Sequence, residues 1–233
     1  MNEKRLLNRI RPFTLVTGHY GCGKTNLAVN LAIDAAKEGE QVTIVDMDLV
    51  NPYFRTSDYR KLLEDHSIEV ITPVFGATNL DIPSLPASMY SIFERKGRVI
   101  VDVGGDDVGS TVLGRFRPQL GSIDFDMIYV VNRFRSLTTT AKEAVEILRE
   151  IEVVSGLKAT GIVNNSHLMS ETSDREIAEG IAYAGEVSRL TDLKVIANTA
   201  PKPCIVGGSI DPDRIPLLYE VDIYTGPCYD LPV

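Results

Sequence analysis

The sequence predicts an α/β domain with a doubly wound, mostly parallel sheet, and three observations support this fold class. Short apolar runs alternate along the chain with segments of helical periodicity, which is the spacing of βαβ units. Several of these runs are continuously apolar, as expected of strands that are covered on both faces. The first run leads through a glycine-rich turn directly into a helical pattern, so the alternation begins near the start of the chain.

Seven strands and four helices are predicted from these patterns. The strands are expected at 13–17, 41–46, 68–72, 98–103, 127–132, 159–164 and 194–197, and the helices at 25–38, 85–96, 137–154 and 174–190. We interpret residues 1–233 as one domain, in which residues 1–12 form a lead-in. Residues from about 201 to 233, rich in Pro, Gly and Asp, are expected to form a C-terminal extension.

Composition restricts the class of protein. Apolar residues make up 44% of the 233 residues, which is ordinary globular composition. The formal charge of −8 argues against a general nucleic-acid binder, because that role needs a basic face. No apolar stretch is long enough to cross a bilayer, and the basic N-terminal segment has no signal-peptide core. Three cysteines without CxxC spacing fit a reducing compartment, so we expect a cytoplasmic protein without membrane contact.

The glycine-rich turn matches the phosphate-binding pattern G-x-x-x-x-G-K-[ST] in full. Its glycines allow backbone N–H groups to surround phosphate oxygens, and the following helix adds the positive end of its dipole. Lys24 is expected to contact the β- and γ-phosphates, and the Thr25 hydroxyl is expected to bind Mg²⁺. The predicted binding residues are Gly18, His19, Tyr20, Gly21, Cys22, Gly23, Lys24, Thr25 and Asn26.

Two other interpretations of this turn are less consistent with the residues. A chance match to the full pattern in a chain of this composition has a probability on the order of one per cent. A dinucleotide site of the Rossmann type would need glycines spaced G-x-G-x-x-G, although Asp46 lies about where that fold keeps a ribose-binding acid. The Gly-Lys-Thr triplet at Gly23, Lys24 and Thr25 favours the phosphate loop.

Acidic side chains at the ends of two further strands are candidate partners of Mg²⁺. The second predicted strand ends in Asp46-Met-Asp48, and the fourth ends in Asp102-Val-Gly-Gly105. A nucleoside triphosphate carries Mg²⁺, which prefers oxygen ligands. Carboxylates at neighbouring strand ends therefore predict a magnesium site at this edge of the sheet.

With these motifs, the region from Phe13 to Asn165 resembles the deviant Walker A ATPases, the class of P-loop NTPases that includes MinD, ParA, the nitrogenase iron protein and CobQ/CobB-like enzymes. The resemblance implies that ATP and Mg²⁺ bind here and that Asp48 orients or activates the attacking water. It also implies that Asp46 supports the Mg²⁺ shell and that Asp102 contacts the metal through water. Gly105 would be a γ-phosphate-sensing hinge, and Asn164 would read the adenine edge.

One position departs from that class. The class has a second lysine after the first glycine of the loop, which reaches the nucleotide of a partner subunit, whereas this chain has His19. An imidazole is mostly uncharged at pH 7 and is shorter than lysine. Either His19 makes a weaker contact, or Arg55, Arg133 or Arg135 supplies the cation, or the contact across a dimer is absent. Formation of a homodimer is therefore one of two open alternatives.

The cysteines suggest two further hypotheses. Cys22 is expected to be a small filler of the turn, and the further hypothesis is that its position near a helix N-terminus makes the thiol unusually acidic, so that oxidation would block the phosphate site. Metal-centre maturation relatives carry paired cysteines at a dimer interface, and Cys204 and Cys228 are the only candidates here, although they are far apart in sequence. Unrelated buried thiols are the simpler interpretation of those two.

The sequence favours a slow Mg²⁺-dependent ATPase that acts as a nucleotide switch for a partner protein or for metal-centre assembly, with Lys24, Asp48 and Asp102 as the catalytic residues. One alternative is an ATP-dependent small-molecule ligase, as in dethiobiotin synthetase or cobyrinate amidation. Another is a regulatory module that binds nucleotide without hydrolysis. GTP instead of ATP is also an open alternative, because no N-K-x-D tetrad that would read the base is present.

Overall fold

The computed structural model describes residues 6–47, 59–72, 87–105 and 107–224. Within these ranges the strands are β1 Phe13–Gly18, β2 Val42–Met47, β3 Glu69–Ile71, β4 Arg98–Val103, β5 Phe125–Val131, β6 Gly161–Asn164, β7 Val195–Pro201 and β8 Leu218–Val221. They form one eight-stranded sheet in the order β3-β2-β4-β1-β5-β6-β7-β8. Every neighbouring pair is parallel. The predicted α/β fold with a parallel, doubly wound sheet is confirmed.

Helices connect the parallel strands. They are α1 Lys24–Lys37, α2 Arg60–Asp65, α3 Ala87–Tyr90, α4 Asp107–Arg115, α5 Arg117–Leu120, α6 Ala141–Ser155, α7 Asp174–Thr191 and α8 Lys202–Val206. Short 3₁₀ turns lie at Leu6–Arg9, Ser91–Glu94, Met169–Glu171 and Pro212–Arg214. None of the described helices has both the length and the apolar character that a bilayer crossing requires.

Apolar layers cover both faces of the sheet. On one face Leu27 and Leu31 of α1 pack against strand residues such as Val16. On the other face Leu148 of α6 and Tyr183 of α7 pack against the sheet. All six residues of β1, β2 and β4 are buried. Burial on both sides explains why these strands appear in the sequence as continuous apolar runs.

Several elements differ from their predicted bounds. The helix expected over 137–154 begins at Ala141, where the Thr140 side chain caps it and Glu143 completes a capping box. Leu137 instead lies in the preceding loop with a φ of 67°. Within the described part of 85–96, the structure has a four-residue α-helix, α3, followed by a 3₁₀ turn. The short helices α2, α4, α5 and α8 were not predicted.

Strand β8 was also not predicted. It lies within the expected C-terminal extension and pairs in parallel with β7, so this part of the extension is the edge of the sheet. The strand has only four residues, and the Pro, Gly and Asp residues that flank it indicate loops rather than a strand in the sequence.

The sheet order determines where a ligand can bind. Strand β1 lies between β4 and β5. The chain leaves β1 for β2 in one half of the sheet, whereas it leaves the adjacent β5 for β6 in the other half. In open α/β sheets this reversal opens a crevice at the carboxyl ends of the strands. The glycine-rich turn after β1 lies at that crevice.

Candidate functional site

The turn between β1 and α1 can be built only with glycine at two of its positions. Gly18 and Gly23 have φ values of 148° and 89°, a region that favours glycine. A Cβ on Gly18 would overlap the carbonyl oxygen of Val130 in β5. A Cβ on Gly23 would overlap the side-chain amide of Asn165. The turn is therefore held tightly between the ends of β5 and β6.

No described side chain caps the N-terminus of α1, so the positive end of the helix dipole is not offset there. Gly23 is the N-cap residue and provides no side-chain hydrogen bond, and the first turn contains no acidic residue. Lys24 is 7% exposed, and its ammonium donates to the carbonyl oxygen of His19 at 3.1 Å. A buried ammonium at the uncapped N-terminus of a helix is favourable when an anion binds there. Thr25, also buried, follows in the same turn.

Two of the predicted magnesium residues come together in the fold. Asp46 and Asp102 are register partners on the adjacent strands β2 and β4, and they are 2% and 0% exposed. Register partners in a parallel pair direct their side chains to the same face of the sheet. Asp48 lies outside the described residues.

The donor set at this position fits Mg²⁺. The Thr25 hydroxyl and the Asp46 and Asp102 carboxylates supply only oxygen, which a hard cation prefers. Within the described ranges no cluster of three or more His, Cys, Asp or Glu side chains could hold a metal by itself. Mg²⁺ is accordingly expected to depend on nucleotide phosphates for further ligands.

His19 stands where the resembling class has its second lysine, and its carbonyl oxygen accepts the Lys24 ammonium at 3.1 Å. Burial lowers the pKa of its imidazole, and the nearby Lys24 charge lowers it further, while a backbone hydrogen bond at Tyr20 opposes the shift. This shift of the pKa favours the uncharged form of the imidazole. The next residue, Tyr20, is 51% exposed and extends from the turn into solvent.

The structure favours the interpretation of Cys22 as a small filler of the turn over the hypothesis of an acidic thiol. The side chain is fully buried, and burial raises the pKa of the thiol even though Lys24 is close. Desolvation of the thiolate outweighs the favourable charge and helix dipole. Cys204 is also buried, and its Sγ donates to the carbonyl oxygen of Met169 at 3.3 Å. Cys228 lies outside the described residues.

Asn165, which the sequence analysis did not select, contacts the glycine-rich turn directly. Its Nδ2 donates to the carbonyl oxygen of Cys22 at 2.8 Å, and its Oδ1 accepts the Thr199 hydroxyl at 2.6 Å. His167 Nε2 lies 3.1 Å from the same Oδ1. A buried amide with a partner at each of these atoms fixes the turn to β6 and β7. The only sequence signal was the second asparagine at the end of β6.

Asn164 lies in the same polar network. Its Nδ2 donates to Asn198 Oδ1 at 2.9 Å, and its Oδ1 accepts the backbone N–H of Ser166 at 3.2 Å. The side chain is 3% exposed. Both ends of the amide are engaged within the protein, and its role in reading adenine stays a prediction.

Asn26 connects α1 to the chain after β8. Its Nδ2 donates to the carbonyl oxygen of Asp222 at 3.0 Å, and its Oδ1 accepts the N–H of Tyr224 at 2.8 Å. Asn30, one turn later, exchanges two hydrogen bonds with the backbone of Asp222. These contacts give the Asn26 side chain a structural role in docking the segment after β8.

The three candidate arginines differ in their surroundings. Arg55 lies outside the described residues. Arg133 pairs with Glu179 at 3.3 Å and lies over the Phe134 ring. Arg135 lies against the glycine-rich turn, with its Cδ 3.8 Å from the position of a Cβ on Gly21. The Arg135 guanidinium forms no ion pair with a described residue, so it is the more available cation.

The backbone of Arg135 is held in place by its own loop. Its N–H donates to the carbonyl oxygen of Asn132 at 3.3 Å, and its carbonyl oxygen accepts the N–H of Thr138 at 3.2 Å. The Thr138 hydroxyl donates to Asn132 O at 2.8 Å. The loop therefore presents the guanidinium beside the turn from a fixed position.

Gly105 packs on the opposite side of the turn. A Cβ at this position would lie 2.6 Å from Tyr20 N and 2.7 Å from Lys24 Nζ. The segment that follows Asp102 is thus in direct contact with the turn. This is the geometry expected of a segment that responds to what binds there.

His167 gives the site a pH-dependent stability. Burial lowers its pKa to about 4, and the Arg135 charge acts in the same direction. As pH falls through 6.5, the unfolded chain binds the proton before the folded one does, so stability decreases down to about pH 4. We expect His167→Gln to reduce this loss by up to about 1.4 kcal/mol per pH unit. Urea unfolding of the wild type and the variant between pH 7 and 4 measures the free energy of unfolding. If this free energy depends on pH in the same way in both proteins, the prediction is contradicted.

Together, the sheet and the glycine-rich turn define a P-loop NTPase fold. The family model described as the CobQ/CobB/MinD/ParA nucleotide binding domain matches residues 13–193. The chain therefore belongs to this family. No curated protein matches the chain.

Solved structures of the cell division protein FtsY and of a signal recognition particle protein have a similar fold. FtsY from Thermotoga maritima gives a TM-score of 0.51 at 17% identity, over 86% of this chain and 65% of that one. The signal recognition particle 54 kDa protein from Aeropyrum pernix K1, in complex with GDP, gives 0.52 at 19%, over 79% and 40%. This chain thus spans less than two thirds of their lengths, and the likeness shows the fold alone.

Proposed function

We propose that this chain is a slow Mg²⁺-dependent nucleotide hydrolase that acts as a switch, with ATP as the expected nucleotide. The observation that carries the proposal is the buried Lys24 ammonium at the uncapped start of α1, together with the buried Asp46 and Asp102 paired at the ends of β2 and β4. Such a site is incomplete without a polyphosphate and its cation. The family supports nucleotide binding, and the GDP in a similar structure makes GTP the necessary comparison.

The residues of this chain have distinct roles in the proposal. Backbone N–H groups of the turn and Lys24 bind the phosphates, while Thr25, Asp46 and Asp102 hold Mg²⁺, which neutralises charge on the phosphates. Water attacks the γ-phosphorus, and the bond to the β–γ bridging oxygen breaks. The products are the nucleoside diphosphate and inorganic phosphate, with the proton of water released to solvent. Asp48 is proposed to orient that water. Loss of the γ-phosphate then releases the segment at Gly105.

Phosphate release from Mg–ATP and Mg–GTP by the purified protein tests this proposal. We expect slow turnover with ATP that Asp102→Asn reduces at least tenfold, because the metal and its bound water lose a negatively charged partner. Circular dichroism shows whether the variant is folded. Turnover that requires a small organic substrate would identify a synthetase instead, and absence of turnover with either nucleotide would contradict the hydrolase.

Arg135 is proposed as the second cation of the site, and Arg133 is its matched control. Removing a charge-assisted contact to phosphate costs about 1.5–3 kcal/mol, so Arg135→Ala is expected to weaken triphosphate binding by roughly tenfold or more. Arg133→Ala leaves it nearly unchanged, because that guanidinium is paired with Glu179. Titration calorimetry of both variants measures the effect. Equal affinities in the two variants would remove Arg135 from the site.

A further inference from the structure

A groove with a volume of about 480 Å³ lies between the P-loop, the Gly105 segment and α6. Its apolar lining includes Tyr20 and Leu137, which are 51% and 65% exposed, together with Ile147 and Ile151 of α6. Large apolar side chains exposed together mark interaction sites more often than scattered ones do. The groove adjoins the phosphate site but extends away from it along α6.

Leu137 is held in the groove at a conformational cost. Its φ of 67° is unfavourable for a residue with a bulky side chain. The neighbouring Thr138 is buried and fixed, since its carbonyl oxygen accepts the Tyr183 hydroxyl at 2.7 Å. The fold therefore keeps a strained leucine in solvent, where it contributes little to the core. Strain of this kind is expected where a side chain has a function outside the fold.

The rim of the groove on α6 is acidic. Glu143, Glu146 and Glu150 follow one another at three- and four-residue spacing and line the same side of the groove. Glu143 is engaged by the N–H of Thr140 at 2.9 Å, whereas Glu146 and Glu150 form no ion pair with a described residue. No described lining residue is a lysine or arginine. The groove thus combines an apolar floor with an acidic rim.

The negative charge of the rim limits which kind of partner can bind in the groove. A nucleic acid or an anionic lipid surface would be repelled. A second copy of this chain, bound through the same groove by a two-fold axis, would place one acidic rim against another. A helix with leucine-like residues on one face and lysines or arginines on the other matches both the floor and the rim.

We propose that this groove docks a basic amphipathic helix of a partner protein. The proposal deepens the switch function and rests on it, because His19, Tyr20 and Gly105 form the wall shared by the groove and the P-loop. A change in the Gly105 segment on hydrolysis alters that wall. The affinity of the helix therefore depends on which nucleotide is bound.

The test uses a fluorescent synthetic helix of about 18 residues with leucines on one face and lysines on the other. Fluorescence anisotropy measures its binding to the full chain loaded with Mg–ATP or Mg–ADP. A second peptide, with glutamates in place of the lysines, controls for apolar binding. We expect the lysine peptide to bind with a Kd in the micromolar range, and this Kd to differ at least about threefold between the Mg–ATP and Mg–ADP states. The glutamate peptide is expected not to bind.

Variants of the chain locate the binding surface. The double change Glu146→Lys and Glu150→Lys is expected to weaken the lysine peptide at least about tenfold, whereas Glu186→Lys, on the exposed face of α7, does not. Leu137→Asn is expected to weaken it at least about threefold without lowering the melting temperature, because asparagine tolerates the positive φ.

The outcomes separate the groove from the switch. Equal binding by all variants, or no binding of the lysine peptide at submillimolar concentration, would overturn the groove proposal. Nucleotide titrations on the same samples report on the P-loop independently. Loss of peptide binding with intact nucleotide binding rejects only the groove, whereas failure of the wild-type protein to bind nucleotide rejects the switch.

Discussion

Gly105→Ala is expected to reduce nucleotide turnover by about a hundredfold while the protein stays folded. The added methyl group would lie 2.6 Å from Tyr20 N and 2.9 Å from His19 C, and these backbone atoms cannot move without distorting the P-loop. The Gly105 segment must therefore shift away from the turn and from the Lys24 ammonium. A displacement of about 1 Å at a phosphoryl-transfer site is enough for an effect of this size. Phosphate release under saturating Mg–ATP measures it.

Gly185→Ala is the matched control. Gly185 lies within α7, and a Cβ there would meet no atom within 4 Å. Alanine in a helix interior stabilises it by roughly 0.5–1 kcal/mol relative to glycine, so turnover should be unchanged and the melting temperature slightly higher. Wild-type turnover by the Gly105→Ala protein would show that this segment does not take part in hydrolysis.

Asn165→Ala is expected to lower the free energy of unfolding by roughly 3–5 kcal/mol. The change removes the buried amide that bonds the Cys22 carbonyl and the Thr199 hydroxyl, at about 1–3 kcal/mol for each contact, and creates a small cavity. The Thr199 hydroxyl keeps Asn164 O, at 3.2 Å, as an acceptor. The loop also loses its connection to β6. A decrease in melting temperature of roughly 10 °C should accompany it. Urea unfolding at pH 7 gives the free energy directly.

Thr199→Val is a milder change in the hydrogen-bond network of Asn165. It removes one hydroxyl, which donates to Asn165 Oδ1 and lies 3.2 Å from Asn164 O, and it nearly preserves the side-chain volume. The expected cost is about 1–2 kcal/mol, clearly less than that of Asn165→Ala. If both variants unfold like the wild type, the network does not hold the P-loop.

The sequence predicts the centre of this fold well, because local patterns determine it. Strands β1, β2 and β4 are buried on both faces, so each is a continuous apolar run whose bounds agree with the prediction within one residue. The P-loop could be predicted because its glycine spacing is a requirement of backbone conformation, as the φ values at Gly18 and Gly23 show. The family was predicted correctly for the same reason.

Features that depend on distant contacts could not be predicted. Strand β8 has only four residues and exists because β7 offers it an edge. Asn165 acquires its role from Cys22, which is 143 residues away in the sequence. The predicted helix at Leu137 is interrupted because Thr138 and Tyr183 fix the loop. At Cys22 the sequence showed the helix N-terminus but not the burial that raises the pKa of the thiol.

Titration calorimetry of Mg–ATP and Mg–GTP into the purified protein, beside Lys24→Ala, tests the central claim most directly. Lys24 is the buried cation of the loop, and two or more charge-assisted hydrogen bonds to phosphate correspond to a loss of roughly a hundredfold or more in affinity. We expect micromolar binding of ATP by the wild-type protein and none measurable by the variant. Absence of binding of either nucleotide to a folded wild-type protein, or equal affinities in the variant, would contradict the account.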